Sequence, residues 1–516
     1  MAERRVLPLP RPIVHPERWP ARLRAGAVRW RAAFAAGHYE TLMVSLLVAV
    51  SLARNLAWAS GPIWQGPDEQ AHYGAIQFIA EHGRLPGAGE DFLSDEEAWA
   101  ADMTAANALH FFSNLRAAAG AGWWGVNERA VQSERRPRTA VTSRVIGWGH
   151  HLPPLYYVLL APFYRLVYPS DIYTRVFVLR LATVLLAGLA VLAAYGLARA
   201  AFPGDRAMRL TVAFRGSFQP MFAYLGAVVN TDMLLFLIAT LVLWLGVRVL
   251  RAGLTWRRSL LLGLLLGAGL LTKPQIVGLA PGVAFVVLVE LWKRRGARLQ
   301  VAAQSLATAA VALVIAGPWM AHSVQVNGNP FYADWLRQLG RTPQPMPELS
   351  LAAYLRVHWA VLRDDLFVGY WANFGWLDTW LAPQYYTLLR AAVILAGAGL
   401  GVYATRWLRD LHEPATRSAA LETGLILAFF ALCTASLLVL YPLIDYTFMK
   451  ANGIGRGIQG RYYLMPIAAH MALLGVGWMA WLPSAWQTAA HAVARLAALA
   501  LNALALFAFW IPRYYG

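Results

Sequence analysis

The sequence predicts an all-α polytopic membrane protein, and three observations support this fold class: the composition, the long apolar segments and the placement of the basic residues. Of the 516 residues, 58% are hydrophobic and only 14% are charged, a balance that a bundle of bilayer-spanning helices requires. Several segments run for about 17 to 25 residues with few charges. At about 1.5 Å per residue they can cross a hydrocarbon core of about 30 Å.

Twelve apolar segments alternate with polar ones along the chain. Their approximate bounds are 40–59, 152–168, 175–201, 210–229, 231–249, 259–272, 274–292, 300–320, 384–404, 420–442, 461–482 and 488–511. Basic clusters are expected to face the cytoplasm, and they lie at 1–31, 248–258, 293–298 and 406–417. Five apolar segments precede the second cluster where this topology requires an even number, so either 152–168 or 210–229 does not span. We therefore expect about eleven transmembrane helices.

The N-terminal segment 1–38 carries eight arginines before any apolar segment, so we expect a basic cytoplasmic segment and not a cleaved secretory signal. It is either a disordered tail or, in part, an amphipathic helix on anionic headgroups. Residues 39–516 then form the transmembrane domain. The formal net charge of +18 is spread over short clusters between spans, which argues against a nucleic-acid partner. The arginine- and alanine-rich composition is typical of a bacterial inner membrane protein.

Two long hydrophilic loops, 60–150 and 321–383, fall on the non-cytoplasmic side in this topology, and we expect the chemistry there. The first loop holds eleven of the 27 acidic residues together with tryptophans and apolar patches. This mixture predicts helices that lie along the membrane surface and not a flexible linker.

The first candidate site residues directly follow the first apolar segment, in Pro67-Asp68-Glu69-Gln70-Ala71-His72. Pro67 suits a helix start and the macrodipole favours carboxylates in the first turn, so capping alone can explain Asp68 and Glu69. A carboxylate at the membrane boundary can also act as a general base. His72 lies one turn beyond Asp68 on the same helix face. Adjacent side chains point in different directions, so at most one of the two acids is expected to touch an acceptor.

Further candidates share a position at the end of an apolar segment: Asp232, Lys273, Arg456, Arg461 and Tyr462. Asp232 is either a helix cap or a site residue. Lys273 is either a lysine that snorkels to the interface or a ligand for an anion. Arginine and lysine together suit a phosphate or diphosphate head group.

Metal binding has little support in the sequence. His150 and His151 could bind a metal, but spacing fixes no third ligand, and the single cysteine, Cys433, lies in an apolar run. We therefore expect no metal ligands and no required cofactor, although a divalent metal could assist the chemistry.

Taken in chain order, these motifs resemble the GT-C superfamily of polyprenyl-phosphate-dependent glycosyltransferases over most of the chain. The motifs are Pro67-Asp68-Glu69 with His72, His151 to Tyr157, Asn230-Thr231-Asp232, Leu271-Thr272-Lys273-Pro274 and Gly460-Arg461-Tyr462-Tyr463. The branch that they resemble most contains protein O-mannosyltransferases and the aminoarabinose transferases of lipid A. The segments Asn373–Asp378 and Gln459–Tyr462 also resemble a bacterial membrane family of that superfamily known as DUF2142.

The resemblance implies a GT-C bundle that transfers a sugar, with inversion, from a polyprenyl-phosphate carrier to a lipid, glycan or protein acceptor. It implies Asp68 as catalytic base with Glu69 in support, Asp232 in shaping the acceptor or sugar site, and Lys273 on the lipid phosphate. Before Pro153, aminoarabinose transferases carry a further basic residue. This chain has His151 and Leu152 there, so His151 or Arg461 is expected to replace that contact.

A flippase or transporter of lipid-linked sugars is the alternative, because acids and cations at the outer face of a bundle can also line a path. Such a protein would show paired broken helices in two similar halves. The sequence shows no internal repeat of that kind.

Overall fold

The computed structural model describes residues 39–87, 90, 92–104, 121–134, 136–138, 141–146, 152–331, 342–455 and 457–515. The expected basic segment 1–38 lies outside them. Backbone contacts divide the chain into two units, Met1–Leu47 and Val48–Gly516. The second unit holds all the candidate site residues that the structure describes.

Helices make up most of the described residues. In chain order they are α1 (Tyr39–Ala59), α2 (Glu69–His82), α3 (Asp95–Met103), α4 (Ala121–Ser133), α5 (Leu155–Leu166), α6 (Ile172–Ala201), α7 (Arg206–Phe218), α8 (Pro220–Leu225), α9 (Asp232–Ala252), α10 (Trp256–Leu270), α11 (Ala280–Lys293), α12 (Arg298–Asn327), α13 (Leu351–Ala360), α14 (Leu366–Trp371), α15 (Pro383–His412), α16 (Arg417–Asn452), α17 (Ile467–Ala480), α18 (Ser484–Leu504) and α19 (Ile511–Tyr515). Three 3₁₀ segments and two π-helical segments join them: Pro274–Leu279, Arg295–Ala297 and Gly460–Leu464, then Val361–Asp365 and Ala505–Trp510.

Two short antiparallel strand pairs complete the secondary structure of the described residues. Strand β1 (Phe92–Ser94) pairs with β2 (Val141–Ile146), and β3 (Asn373–Phe374) pairs with β4 (Thr379–Trp380). The first long loop, 60–150, therefore contains helices α2, α3 and α4, as its composition predicted.

Eight helical stretches among the described residues are long and apolar enough to cross a membrane. They are Glu40–Ala59, Ile172–Ala201, Asp232–Ala252, Pro274–Lys293, Arg295–Asn327, Pro383–His412, Arg417–Asn452 and Ser484–Tyr515. Each coincides with one of the twelve apolar segments of the sequence, which confirms the all-α polytopic fold class. The other four segments form shorter or interrupted helices, α5, α7 with α8, α10 and α17.

The segment 210–229, one of the two candidates for the single segment that was expected not to span, is broken at Gln219. Helix α7 ends at Phe218, and Gln219 has an extended backbone before Pro220 begins α8. Proline lacks an amide hydrogen and disfavours a helical conformation of the residue before it, so the helix cannot continue. The other such segment, 152–168, forms only the twelve-residue helix α5.

A cluster of buried aromatic rings supports the segment that leads from α1 to α2. Trp510 lies 5.6 Å from Trp58 and 5.0 Å from Tyr224, measured between ring centroids, and Phe374 lies 4.9 Å from Trp58. The rings of Trp58 and Trp510 are essentially unexposed. Because these rings come from the first span, α8, the β3 strand and the last span, they join distant parts of the chain next to residues 60–68.

The topology can be tested with single cysteines. Cys433 is fully buried, so it contributes no labelling background in the folded protein. We expect Ser133→Cys to react with a membrane-impermeant maleimide in intact cells, because the first long loop is predicted outside. Ala415→Cys should react only after permeabilisation, because residues 406–417 are predicted inside. The reverse pattern would place the candidate site on the cytoplasmic side.

Candidate active site

Two carboxylates and two cations from four separate segments meet at one place. Asp68 precedes α2, Asp232 begins α9, Lys273 follows α10 and Arg461 lies in the 3₁₀ segment Gly460–Leu464. Arg461 Nη2 lies 3.2 Å from Asp68 Oδ2, and its Nε lies 4.0 Å from Asp232 Oδ2. Lys273 Nζ donates to Asp232 Oδ1. The four charges therefore form one network with balanced formal charge.

Arg461 is the centre of this network and keeps part of its donor capacity unused. Its side chain is 4% exposed. Among the described residues, neither Nε nor Nη1 has a hydrogen-bond acceptor, and Asp232 Oδ2 has no donor. Buried guanidinium hydrogens without acceptors are costly unless a ligand satisfies them. The guanidinium can therefore donate to an oxyanion from Nη1, or separately from Nε on its other edge, while Nη2 stays on Asp68.

Tyr462 lies against both cations. Its ring centroid is 5.3 Å from Lys273 Nζ and 5.5 Å from Arg461 Cζ. An aromatic face at this distance attracts a cation, so Tyr462 helps to hold both cations at the site. Tyr441 packs behind it, with 5.9 Å between the two ring centroids.

Asp68 occupies a left-handed backbone conformation, with φ 61° and ψ 19°. Aspartate tolerates this region better than most residues. Trp64, four residues earlier, also has a positive φ of 63°, which for a bulky residue costs about 1–3 kcal/mol. The segment 64–68 is therefore strained and must be held by its surroundings.

Hydrogen bonds from four directions hold this segment. Trp376 Nε1 donates to the Trp64 carbonyl at 2.9 Å, and the Tyr224 hydroxyl donates to the Gln65 carbonyl at 2.5 Å. Asn230 Nδ2 donates to the Pro67 carbonyl at 3.2 Å, and Asn230 Oδ1 accepts from the Asp232 amide at 2.7 Å. A single asparagine thus fixes the segments of both site carboxylates.

The fourth contact comes from Glu69, whose carboxylate is fully buried and has other partners than Asp68 has. Glu69 Oε2 accepts from the Trp64 amide and Oε1 from the Val229 amide, each at 3.0 Å. Arg180 binds both oxygens, with Nε at 2.8 Å and Nη2 at 2.6 Å. With every side of the carboxylate occupied, Glu69 positions the segment and is not available to an acceptor.

Arg180 in turn fixes the backbone of the segment that leads from α1 to α2. Besides Glu69, its guanidinium donates to the carbonyls of Ala59, Gly61 and Pro62 at 2.5 to 2.9 Å. These bonds use the guanidinium's donor capacity fully. Sequence reasoning missed Arg180, although a charged residue within the apolar segment 175–201 is itself a signal of a structural or functional role.

His72 and Tyr157 form a buried pair beside the charged network. His72 Nδ1 lies 2.8 Å from the Tyr157 hydroxyl, and their rings stack at 5.9 Å between centroids. Burial lowers the pKa of His72 to about 4; Asp68 opposes this shift and Lys273 adds to it. His72 is therefore neutral at pH 7. Tyr157, which the resemblance included only within a longer motif, is its direct partner.

Two of the predicted site residues, His151 and Arg456, lie outside the described residues. The structure brings together Asp68, Asp232, Lys273, Arg461 and Tyr462, with His72 at their side. Among the described residues, no group of three or more His, Cys, Asp or Glu side chains is arranged to hold a metal ion.

Comparisons with known proteins bear on the family and the fold. A family described as predicted membrane proteins, DUF2142, matches residues 55–471, a range that includes the whole charged network. No curated protein matches the sequence.

Among solved structures, the apo oligosaccharyltransferase of Archaeoglobus fulgidus is similar to this chain, with a TM-score of 0.52 and 13% identity. The match covers 93% of this chain and 57% of that one, so the protein spans little more than half of the oligosaccharyltransferase. ArnT from Cupriavidus metallidurans bound to undecaprenyl phosphate matches with a TM-score of 0.46 and 16% identity, over 90% of this chain and 75% of that one. The first likeness shows the GT-C fold that the sequence resemblance predicted.

Replacing Arg180 by lysine should destabilise the protein by about 2–6 kcal/mol, because lysine keeps the charge but has three N–H donors in place of five, and each buried acceptor left without a donor costs about 1–3 kcal/mol. Unfolding is measured during heating in detergent as the reaction of Cys433, which is buried in the folded protein, with a thiol-reactive dye. Arg84→Lys is a matched control at an exposed ion pair with Glu90, and its midpoint should stay unchanged. Equal midpoints for Arg180→Lys and the wild type would contradict the positioning role of Arg180.

Acid should destabilise the wild type through His72. Its folded pKa of about 4 lies below the ordinary value of about 6.5, so below pH 6.5 the unfolded state binds a proton that the folded state does not. Stability is complete above pH 6.5 and falls as the pH drops toward 4, by about 2 kcal/mol between pH 7 and 5. His72→Asn should remove that part of the acid dependence in thermal unfolding. His412→Asn, at an exposed position, should keep it; identical pH profiles for wild type and His72→Asn would refute the assignment.

Proposed function

The chain belongs to the DUF2142 family of predicted membrane proteins, and we propose that it is an inverting glycosyltransferase that uses a polyprenyl-phosphate sugar as donor. The acceptor is a lipid, glycan or protein on the non-cytoplasmic side of a bacterial inner membrane. The observation that carries this proposal is the network of Asp68, Arg461, Asp232 and Lys273 at the ends of helices in a bundle with the GT-C fold.

Asp68 is the catalytic base in this proposal. Its side chain is 25% exposed, whereas Asp232 is 3% exposed, so Asp68 is the carboxylate that an acceptor hydroxyl can reach. Glu69 is excluded from that role by its four hydrogen bonds and acts by fixing the backbone of Asp68. A base held in this way needs little reorganisation at the moment of reaction.

Lys273 and Arg461 hold the phosphate of the carrier. Arg461 can donate to a phosphate oxygen from Nη1 or from Nε, neither of which has an acceptor among the described residues, and Lys273 adds a point charge. Asp232 keeps both cations in place while no donor is bound, and His72 and Tyr462 complete the surroundings of the substrates. A divalent metal is not required for any of these roles.

The transfer then proceeds in one displacement. The acceptor oxygen attacks the anomeric carbon as its proton passes to Asp68, and the bond from that carbon to the phosphate oxygen breaks. The electron pair of that bond leaves on the phosphate, whose charge Lys273 and Arg461 stabilise. Attack opposite the leaving group inverts the anomeric configuration.

Asp68→Asn should lower the rate of transfer by about 10²- to 10⁴-fold, because it removes the general base, and should keep donor binding. Lys273→Gln should instead weaken donor binding by about tenfold or more, the worth of a charge-assisted hydrogen bond. Both effects are measured in an assay of the purified protein in lipid, which follows the transfer of radiolabelled sugar from a panel of polyprenyl-phosphate sugars to a panel of acceptors.

Glu348→Gln provides the control, because Glu348 is an exposed acid away from the network. Full transfer by Asp68→Asn would remove Asp68 from the mechanism. If labelled lipid crosses the bilayer with its sugar still attached, the transferase proposal is wrong and the flippase alternative is supported.

A further inference from the structure

A cavity of about 770 Å³ adjoins the charged network on the side of Arg461, which forms part of its wall. The π-helical segment Val361–Asp365, the β3–β4 hairpin, the start of α15 and residues 458–461 enclose it. Its volume lies within the range of about 300–1,000 Å³ that is typical of small-molecule sites. Arg461 is the one member of the charged network that lines it.

The wall of the cavity offers hydrogen-bonding groups along its length. Asp364, Asp365, Asn373, Thr387 and Gln459 all line it. Asn373 Oδ1 and Gln459 Oε1 are buried, and the described residues provide no hydrogen-bond partner for either. Two carboxylates, two amides and a hydroxyl around one cavity suit a ligand rich in hydroxyl or amine hydrogens.

An aromatic surface accompanies these polar groups. Trp380 lines the cavity from strand β4 and remains 53% exposed. A pyranose ring has an apolar C–H face and a rim of hydroxyls, so it can lie on an indole face while its rim meets carboxylates and amides. An isoprenoid tail would fit this wall poorly, because it would bury Asp365, Asn373 and Gln459 without partners.

The backbone around the cavity has two unusual conformations. Leu377, a lining residue, has a positive φ of 64°, which is strained for a bulky side chain. Val361–Asp365 is π-helical, a conformation found frequently at functional sites. Both features lie in the loop that the sequence analysis placed on the same face as the site.

We propose that this cavity is a saccharide-binding subsite, with Trp380 as the stacking surface and Asp365, Asn373 and Gln459 as hydrogen-bonding partners. The inference rests on the proposed function, in which a sugar ring must stand next to Arg461 and Asp68. The ring belongs either to the sugar of the donor or to a glycan acceptor, and the two share the chemistry that the cavity recognises.

Binding can be measured without turnover. Purified protein in lipid nanodiscs, labelled with a fluorophore, is applied to a broad glycan array, and undecaprenyl phosphate is titrated in parallel. We expect the wild type to bind a subset of glycans, and Trp380→Ala and Asp365→Asn each to weaken that binding by about tenfold. Trp486→Ala replaces an exposed tryptophan outside the cavity and should bind as the wild type does, while Trp380→Phe should retain most of the affinity.

The transfer assay identifies the source of the sugar ring. A higher KM for the carrier-linked sugar in Trp380→Ala assigns the cavity to the donor, and a higher KM for the acceptor assigns it to an acceptor glycan. Glycan binding that is equal in Trp380→Ala and wild type, or absent from the array, would overturn the subsite even if transfer is observed. Loss of undecaprenyl phosphate binding in Trp380→Ala without loss of glycan binding would also overturn it. Glycan binding without any transfer would instead contradict the proposed transferase function and support the cavity as a saccharide-binding subsite.

Discussion

The ion pair between Glu69 and Arg180 is the interaction on which the rest of the site depends. Both side chains are buried, and burying an ion pair is favourable only when its remaining hydrogen bonds are satisfied. Here Arg180 also serves three backbone carbonyls, and Glu69 also serves two backbone amides. The charges are therefore used to shape the backbone that carries Asp68, whose conformation a lone segment would not retain.

The same backbone connects the charged network to the cavity. Tyr224 donates to the Gln65 carbonyl and accepts from the Gly375 amide at 3.1 Å, and Trp376 donates to the Trp64 carbonyl. Gly375 and Trp376 form the turn of the β3–β4 hairpin, whose strands contribute Asn373 and Trp380 to the cavity wall. Residues 64–68 and the hairpin are thus joined by hydrogen bonds, so the backbone that carries Asp68 and part of the cavity wall hold each other in place.

The fold class was predictable because hydropathy is a local property, and all eight long helical stretches found in the described part of the chain coincide with apolar segments. The ends of those segments also indicated Asp68, Asp232, Lys273 and Arg461. Their contacts were not predictable without a family resemblance, since Asp68 and Arg461 lie 393 positions apart. Arg180 was missed because an arginine within an apolar segment only lowers the hydropathy of that segment and does not indicate the residues that it contacts. The resemblance did mark Asn373–Asp378 and Gln459–Tyr462, which contribute to the cavity wall. The cavity itself was not predictable, since two-residue strands and a π-helical turn have no sequence periodicity.

The distance in sequence between Glu69 and Arg180 has a consequence for how the protein is assembled in the membrane. Arg180 follows Glu69 by 111 positions, so Glu69 is synthesised well before α6, the helix whose Arg180 pairs with it. Until α6 is inserted, the carboxylate must stay hydrated and residues 60–68 cannot close over it. Correct insertion of α6 is thus a precondition for the assembly of the charged network, and a chain in which that helix fails to insert would lack the network as well as being misfolded.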